Sequence, residues 1–180
     1  LLKMKILVTD SLSLKSHNDL SLEVLNKFGE VIEYSGITRE ELMAEVKDID
    51  IILTNKVVID REVMENAPRL RYIGLFATGY NNIDIKTAKE YNTIVCNTPT
   101  PVTEPTAELA ITLMGCVARG IVLSDRKVRN SSVKWGVLEN IGNGLYGKTL
   151  GIVGMGRIGQ ATARRAVASG MKIVYFSRNR

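Results

Sequence analysis

Three glycines stand at dinucleotide-loop spacing in the stretch GMGRIG: Gly154, Gly156 and Gly159. The apolar run KTLGIV leads into them, a helix-forming stretch follows, and KIVYFS comes next. In a strand–turn–helix unit each glycine has its own task. Gly154 permits the tight turn, Gly156 lets a pyrophosphate approach the backbone, and Gly159 lets helix and strand pack closely. Free N–H groups and the positive end of the helix dipole attract the diphosphate. Such units usually place a carboxylate at the tip of the next strand, about 20 residues past the first glycine. Here that tip reads Ser177-Arg178. A carboxylate there accepts hydrogen bonds from the adenosine ribose and repels a 2′-phosphate. Ser177 removes the repulsion, and Arg178 offers a planar, doubly donating partner for a phosphate. Arg178 stacked on the adenine would serve either cofactor. The stretch points to NAD or NADP, with NADP(H) slightly favoured.

The rest of the composition narrows the classes. The 180 residues are 45% hydrophobic, enough to bury a core, and carry a net charge of +5. Much of that charge sits in Arg157, Arg164, Arg165, Lys172, Arg178 and Arg180. No basic stripe accompanies a recognition motif, so no nucleic-acid partner is expected. The two cysteines, Cys96 and Cys116, lie in apolar stretches and are expected to pack as small hydrophobes. A single possible pair is no disulfide framework, which points to a cytoplasmic setting. With one histidine, His17, a metal site has little support. The start, LLKMKILVTD, reads as a strand rather than a signal peptide. The longest apolar stretch, Ala107 to Ala118, falls short of the roughly 20 residues that span a bilayer.

These residues must be positioned by a scaffold, and the first hundred alternate strand and helix signals. MKILVT (4–9) is an apolar run. NDLSLEVLNKF predicts a helix with Leu20, Val24, Leu25 and Phe28 on one face, stopped by Gly29. VIEY (31–34) is a strand, and Thr38 with Glu41 forms a capping box for the next helix. IDIILT (49–54) is almost wholly apolar, as a strand covered on both faces should be. Asp60 caps a short helix that ends before Pro68. LRYIGLFA (70–77), a helix over 84–91 and TIVCN (93–97) complete five strands alternating with helices. That alternation predicts a parallel α/β sheet with right-handed crossovers.

TPTPVTEPT (98–106) holds three of the four prolines and reads as a hinge. It divides a domain over 1–100 from one over 101–180. From Ala107 the next helix is apolar almost all round, so it is expected to be buried on every side, in a homodimer or domain contact. Residues 130–146 read as irregular, with Trp135 as a packing anchor. Lys148 to Ser177 is one βαβ unit, with no third strand after it.

Three stretches resemble, in order, the D-isomer-specific 2-hydroxyacid dehydrogenases. They are FATGYNNID (76–84), TEPTAELAITLMG (103–115) and LYGKTLGIVGMGRIGQATARRAVASGMKIVYFSR (145–178). The pattern looks most like the glyoxylate/hydroxypyruvate reductases and glycerate dehydrogenases. The resemblance implies an α/β architecture: a flavodoxin-like substrate-binding domain, then the first βαβ unit of a Rossmann NAD(P)-binding domain, truncated. It implies that the backbone at Ala77, Thr78 and Gly79 binds the substrate carboxylate. A glycine loop after a parallel strand lies at the carboxyl edge of the sheet, where ligands bind. The plain alternative is a turn with Gly79 in the left-handed region. The resemblance also places Thr106, on the hinge, near the nicotinamide, and Arg157 and Ile158 on the pyrophosphate.

The family's catalytic arginine, glutamate and histidine lie beyond the second strand, so no catalytic residue is assigned in this chain. His17 is far from the family's position and is no substitute. The implied activity is NAD(P)-dependent interconversion of a small 2-oxo acid and its D-2-hydroxy acid, in a parent protein that is a homodimer. The 180-residue chain alone is expected to be inactive. The alternative reading is a non-enzymatic NAD(H)-binding protein resembling the C-terminal-binding corepressors, or a truncated product.

Overall fold

A computed structural model describes residues 3–15, 20–130 and 141–178. They form two compact units, Leu1–Thr100 and Pro101–Arg180. His17, Trp135 and Arg180 lie outside the described residues.

The first unit is a five-stranded parallel sheet built from β1 (Met4–Val8), β2 (Gly29–Glu33), β3 (Ile51–Thr54), β4 (Tyr72–Leu75) and β5 (Ile94–Cys96). Its order is β2-β1-β3-β4-β5, that of flavodoxin-like doubly wound domains. The helices are α1 (Leu12–Lys15), α2 (Arg39–Glu45), α3 (Arg61–Glu65) and α4 (Ile85–Glu90). Their starts are set by local chemistry. Thr38 and Glu41 make the reciprocal capping box at α2, and the Asp60 and Asp84 side chains cap α3 and α4. Leu7, Leu42, Val46, Ile49, Ile52, Val63, Ile73 and Leu75 are fully or almost fully buried in one core.

The helix expected over residues 18–28 does not form as such over its described part, residues 20–28. Glu23–Lys27 is a 3-10 helix, Leu22 is buried, and Leu20, Val24 and Phe28 are exposed. At three residues per turn, side chains four apart no longer share a face. Gly29 opens β2 rather than stopping a helix, and a Cβ there would run into the carbonyl of Met4 on the neighbouring strand. Cys96 also departs from expectation. It is exposed at the end of the edge strand β5, while Cys116 is half-buried; both are free thiols.

In the second unit α5 (Thr103–Ala118) and α6 (Ile121–Arg129) lead to β6 (Thr149–Val153), α7 (Arg157–Ala168) and β7 (Lys172–Phe176). β6 and β7 pair in parallel. α5 begins four residues before the expected start, because Pro105 is compatible with a first helical turn, where its missing N–H costs nothing. Thr106 therefore lies in the helix, its N–H on the Val102 carbonyl, and not on the hinge. α5 packs on α7 along one side. The chain itself does not bury it all round: Thr103 and Ala107 are buried, whereas Leu109, Leu113 and Val117 are 56%, 55% and 82% exposed. Among the described residues no single helix is long and apolar enough to cross a membrane.

Candidate functional site

Two loops at strand ends, with the first turn of α7, carry most of the residues singled out by sequence, while Thr106 lies on α5. The first follows β4. The Phe76 N–H continues the sheet ladder to the Thr54 carbonyl, and then the chain turns. The Ala77 carbonyl accepts the Thr98 N–H at 3.0 Å, and the Thr78 carbonyl accepts the Asn97 amide at 2.8 Å. The Thr78 hydroxyl donates to the Thr98 carbonyl at 3.0 Å. These bonds tie the loop to the segment leaving β5 and occupy its carbonyls. The N–H groups of Thr78 and Gly79 have no acceptor among the described residues. Adjacent free N–H groups at the carboxyl edge of a parallel sheet suit a small carboxylate.

Gly79 is not among the glycines with positive φ, so a left-handed turn does not account for it. A Cβ there would meet nothing within 4 Å. Neither strain nor internal packing requires glycine; the open space suits a ligand approaching the backbone. The second half of the motif is scaffolding. The Asn82 amide donates to the carbonyls of Val57 at 2.8 Å and Asn55 at 3.3 Å, Ile83 is buried, and Asp84 caps α4. The capping carboxylate of Asp84 is held below its ordinary range by the Thr87 hydroxyl and N–H.

The second loop joins β6 to α7. Gly154 has φ 99°, which a side chain resists, and its N–H binds the Phe176 carbonyl at 2.8 Å. That bond sets the glycine turn beside the end of β7. A Cβ on Gly159 would collide with the Gly154 carbonyl, so helix and turn meet only over a glycine. Gly156 is the N-cap of α7 in extended backbone, and a Cβ there would touch nothing within 4 Å. No side chain caps α7, and its first turn holds no acidic residue. The N–H groups of Arg157 and Ile158 have no acceptor among the described residues, which leaves an anion site at the helix start.

An open depression of about 440 Å³ is lined by Val153, Gly154, Met155, Gly156, Phe176, Ser177 and Arg178. The glycine turn and the two residues at the tip of β7 therefore share one surface. The open space over Gly156 and the uncapped helix start could hold the diphosphate of a dinucleotide, with Ser177 and Arg178 on the same surface for its adenosine end. A feature the sequence did not suggest is an ion-pair cluster between α5 and α7. Glu104, in the first turn of α5, pairs with Arg165 at 2.7 Å and Arg164 at 3.2 Å on α7. The Arg165 guanidinium is the main cause holding the Glu104 carboxyl below its ordinary range. Among the described residues no three His, Cys, Asp or Glu side chains converge as metal ligands would.

A five-stranded parallel sheet of flavodoxin-like order, followed by a βαβ unit with a glycine turn, defines an α/β protein of the doubly wound class. The comparisons with known proteins narrow the class. The family described as "D-isomer specific 2-hydroxyacid dehydrogenase, catalytic domain" matches residues 6–175. The chain belongs to that family. It is 48% identical over 148 residues to a glyoxylate reductase of Thermococcus litoralis, covering 79% of this chain and 45% of the relative. It is 42% identical over 185 aligned positions to a glyoxylate reductase of Pyrococcus furiosus, covering 99% and 54%. A solved NADPH-dependent glyoxylate/hydroxypyruvate reductase of Sinorhizobium meliloti, in complex with citrate, superposes with a TM-score of 0.79 at 27% identity, over 99% of this chain and 55% of that one. The chain thus spans about half the length of the relatives it matches.

Proposed function

We propose that this chain supplies the substrate-carboxylate loop and the cofactor pyrophosphate site of an NAD(P)-dependent oxidoreductase. The enzyme interconverts a small 2-oxo acid, of the glyoxylate or hydroxypyruvate type, and its D-2-hydroxy acid. The observation that carries the reading is the pair of open glycines, Gly79 and Gly156, each beside unpaired N–H groups at the end of a parallel strand.

In this reading the N–H groups of Thr78 and Gly79 hold the substrate carboxylate and orient its carbonyl carbon. Thr98 and Asn97 hold that loop still by occupying its carbonyls. Arg157 and Ile158 offer their N–H groups to the pyrophosphate, and Ser177 and Arg178 receive the adenosine end. The bound nicotinamide cofactor supplies or accepts the hydride. Thr106, one turn into α5, is assigned to the nicotinamide side. The related reductase of Sinorhizobium meliloti is NADPH-dependent, in line with NADP(H) as the slightly favoured cofactor. The exposed stripe of Leu109, Leu113 and Val117 on α5 suits a second copy, hence a homodimer.

No residue of this chain is assigned the acid/base step, whose absence typically costs about 10²–10⁴-fold. The test pairs binding with turnover. The 180-residue chain is titrated with NADPH, then assayed for NADPH oxidation with glyoxylate and with hydroxypyruvate. Saturable NADPH binding without turnover is expected. Turnover of about 1 per second or faster overturns the assignment of no catalytic group to this chain. A lack of NADPH binding overturns the cofactor site.

A further inference from the structure

In the order β2-β1-β3-β4-β5 the topological switch point lies between β1 and β3. There the connections leave toward opposite faces and open a crevice at the carboxyl ends, the position where open α/β sheets bind ligands. The proposed substrate loop follows β4 instead. The switch point itself carries a depression of about 330 Å³, lined by Asp10, Leu12 and Ser13 after β1, Ser35 after β2, and Lys56 and Val57 after β3. Ala77, Thr78 and Gly79 do not line it. We infer that this crevice is a second ligand site, for a small monocarboxylate with an apolar tail.

The walls are held before any ligand arrives. Asp10 is 8% exposed, and its carboxylate accepts the Asn55 N–H at 2.9 and 3.1 Å, the Lys56 N–H at 2.7 Å and the Thr9 hydroxyl at 2.9 Å. From the other side the Asn82 amide holds the carbonyls of Asn55 and Val57. The loop bearing Lys56 is thus clamped between the β1 loop and the β4 segment, and a preorganised loop loses little freedom on binding. The Leu12 N–H on the Ser35 carbonyl joins the β1 and β2 walls.

The chemistry selects the ligand. Among the described residues Lys56 has no carboxylate partner, and no hydrogen bond occupies the Ser35 hydroxyl. Asp10 counts against an anion, but three donors engage its carboxylate, the Asn55 N–H shared between both oxygens, and disperse its charge. One cation beside one dispersed anion favours a monoanion over phosphate. Leu12, 67% exposed, and Val57 supply an apolar wall for the tail.

The experiment follows backbone amide shifts of the whole chain on titration with butyrate, butyramide and inorganic phosphate. Butyrate is expected to saturate the signals of Leu12, Ser35 and Lys56 with Kd of about 1 mM, in keeping with so few contacts. Butyramide and phosphate should bind at least tenfold more weakly. Lys56→Met should weaken butyrate at least tenfold, and Leu12→Glu should do the same through repulsion; both positions are exposed, so both variants fold. Equal binding of butyrate and butyramide overturns the inference, as does tighter binding of phosphate, an unchanged Lys56→Met variant, or shifts confined to Thr78 and Gly79. Neither substitution touches the Thr78–Gly79 loop or the glycine turn. Failure here leaves the proposed oxidoreductase reading standing, and NADPH binding tests that reading separately.

Discussion

The three glycines around the start of α7 make a prediction in which stability and binding move in opposite directions. Gly156 is an N-cap in extended backbone with open space where a Cβ would stand. Serine is a better N-cap than glycine by a few tenths of a kcal/mol, because its hydroxyl accepts an N–H of the first turn. Gly156→Ser should therefore leave α7 unchanged or slightly more stable. The same hydroxyl takes an N–H that the pyrophosphate would use and stands in its path. Hydrogen bonds to charged groups are worth about 1.5–3 kcal/mol, so dinucleotide affinity should fall at least about tenfold. Gly159→Ala does the reverse damage first. Its methyl meets the Gly154 carbonyl, an overpacking that costs about 1–3 kcal/mol. Gly154→Ala forces a side chain onto φ 99°, at about 1–3 kcal/mol. Hydrogen exchange of the α7 amides reads local stability, and NADPH titration reads binding. If Gly156→Ser loses as much protection as Gly159→Ala, or binds NADPH as tightly as the unchanged chain, the open space over Gly156 is not a ligand site.

Other outcomes follow from the same geometry. Ser177→Asp with Arg178→Ala should reverse the cofactor preference toward NADH, and the unchanged protein should bind NADPH at least as tightly as NADH; a tenfold preference for NADH in parallel titrations refutes the role given to Arg178. Asp84 has its pKa depressed by Thr87, so the stability it contributes is fully present above the unfolded value near 4 and is lost as pH falls through the lower folded value. Denaturant midpoints measured down the pH scale should decline below about pH 4, and Asp84→Asn should flatten that decline. Leu113→Lys on the exposed α5 stripe should shift the protein from dimer to monomer in sedimentation at micromolar concentration, and a protein already monomeric before the change refutes the homodimer.

What the sequence determined by itself was local chemistry. The capping residues Thr38, Asp60 and Asp84 act on N–H groups three positions away, so their helices are legible from a few letters. Strands β3 and β4 read as apolar runs because helices cover both faces of a parallel sheet. Gly154, Gly156 and Gly159 stand at recognisable spacing; the structure requires glycine at Gly154 through its positive φ and at Gly159 through the Gly154 carbonyl, and leaves open space at Gly156. The readings that failed had both local and long-range causes. Leu20, Val24 and Phe28 have helical spacing, but a 3-10 turn disperses them. Cys96 sits in an apolar stretch, yet β5 is an edge strand and leaves it exposed. Thr106 follows a proline-rich stretch, yet α5 starts early enough to include it. The free N–H groups of Thr78 and Gly79 were set by tertiary structure alone. Asn97 and Thr98, some 20 residues on, turn the loop's carbonyls toward β5, and only the parallel pairing of β4 with β5 brings those residues within reach.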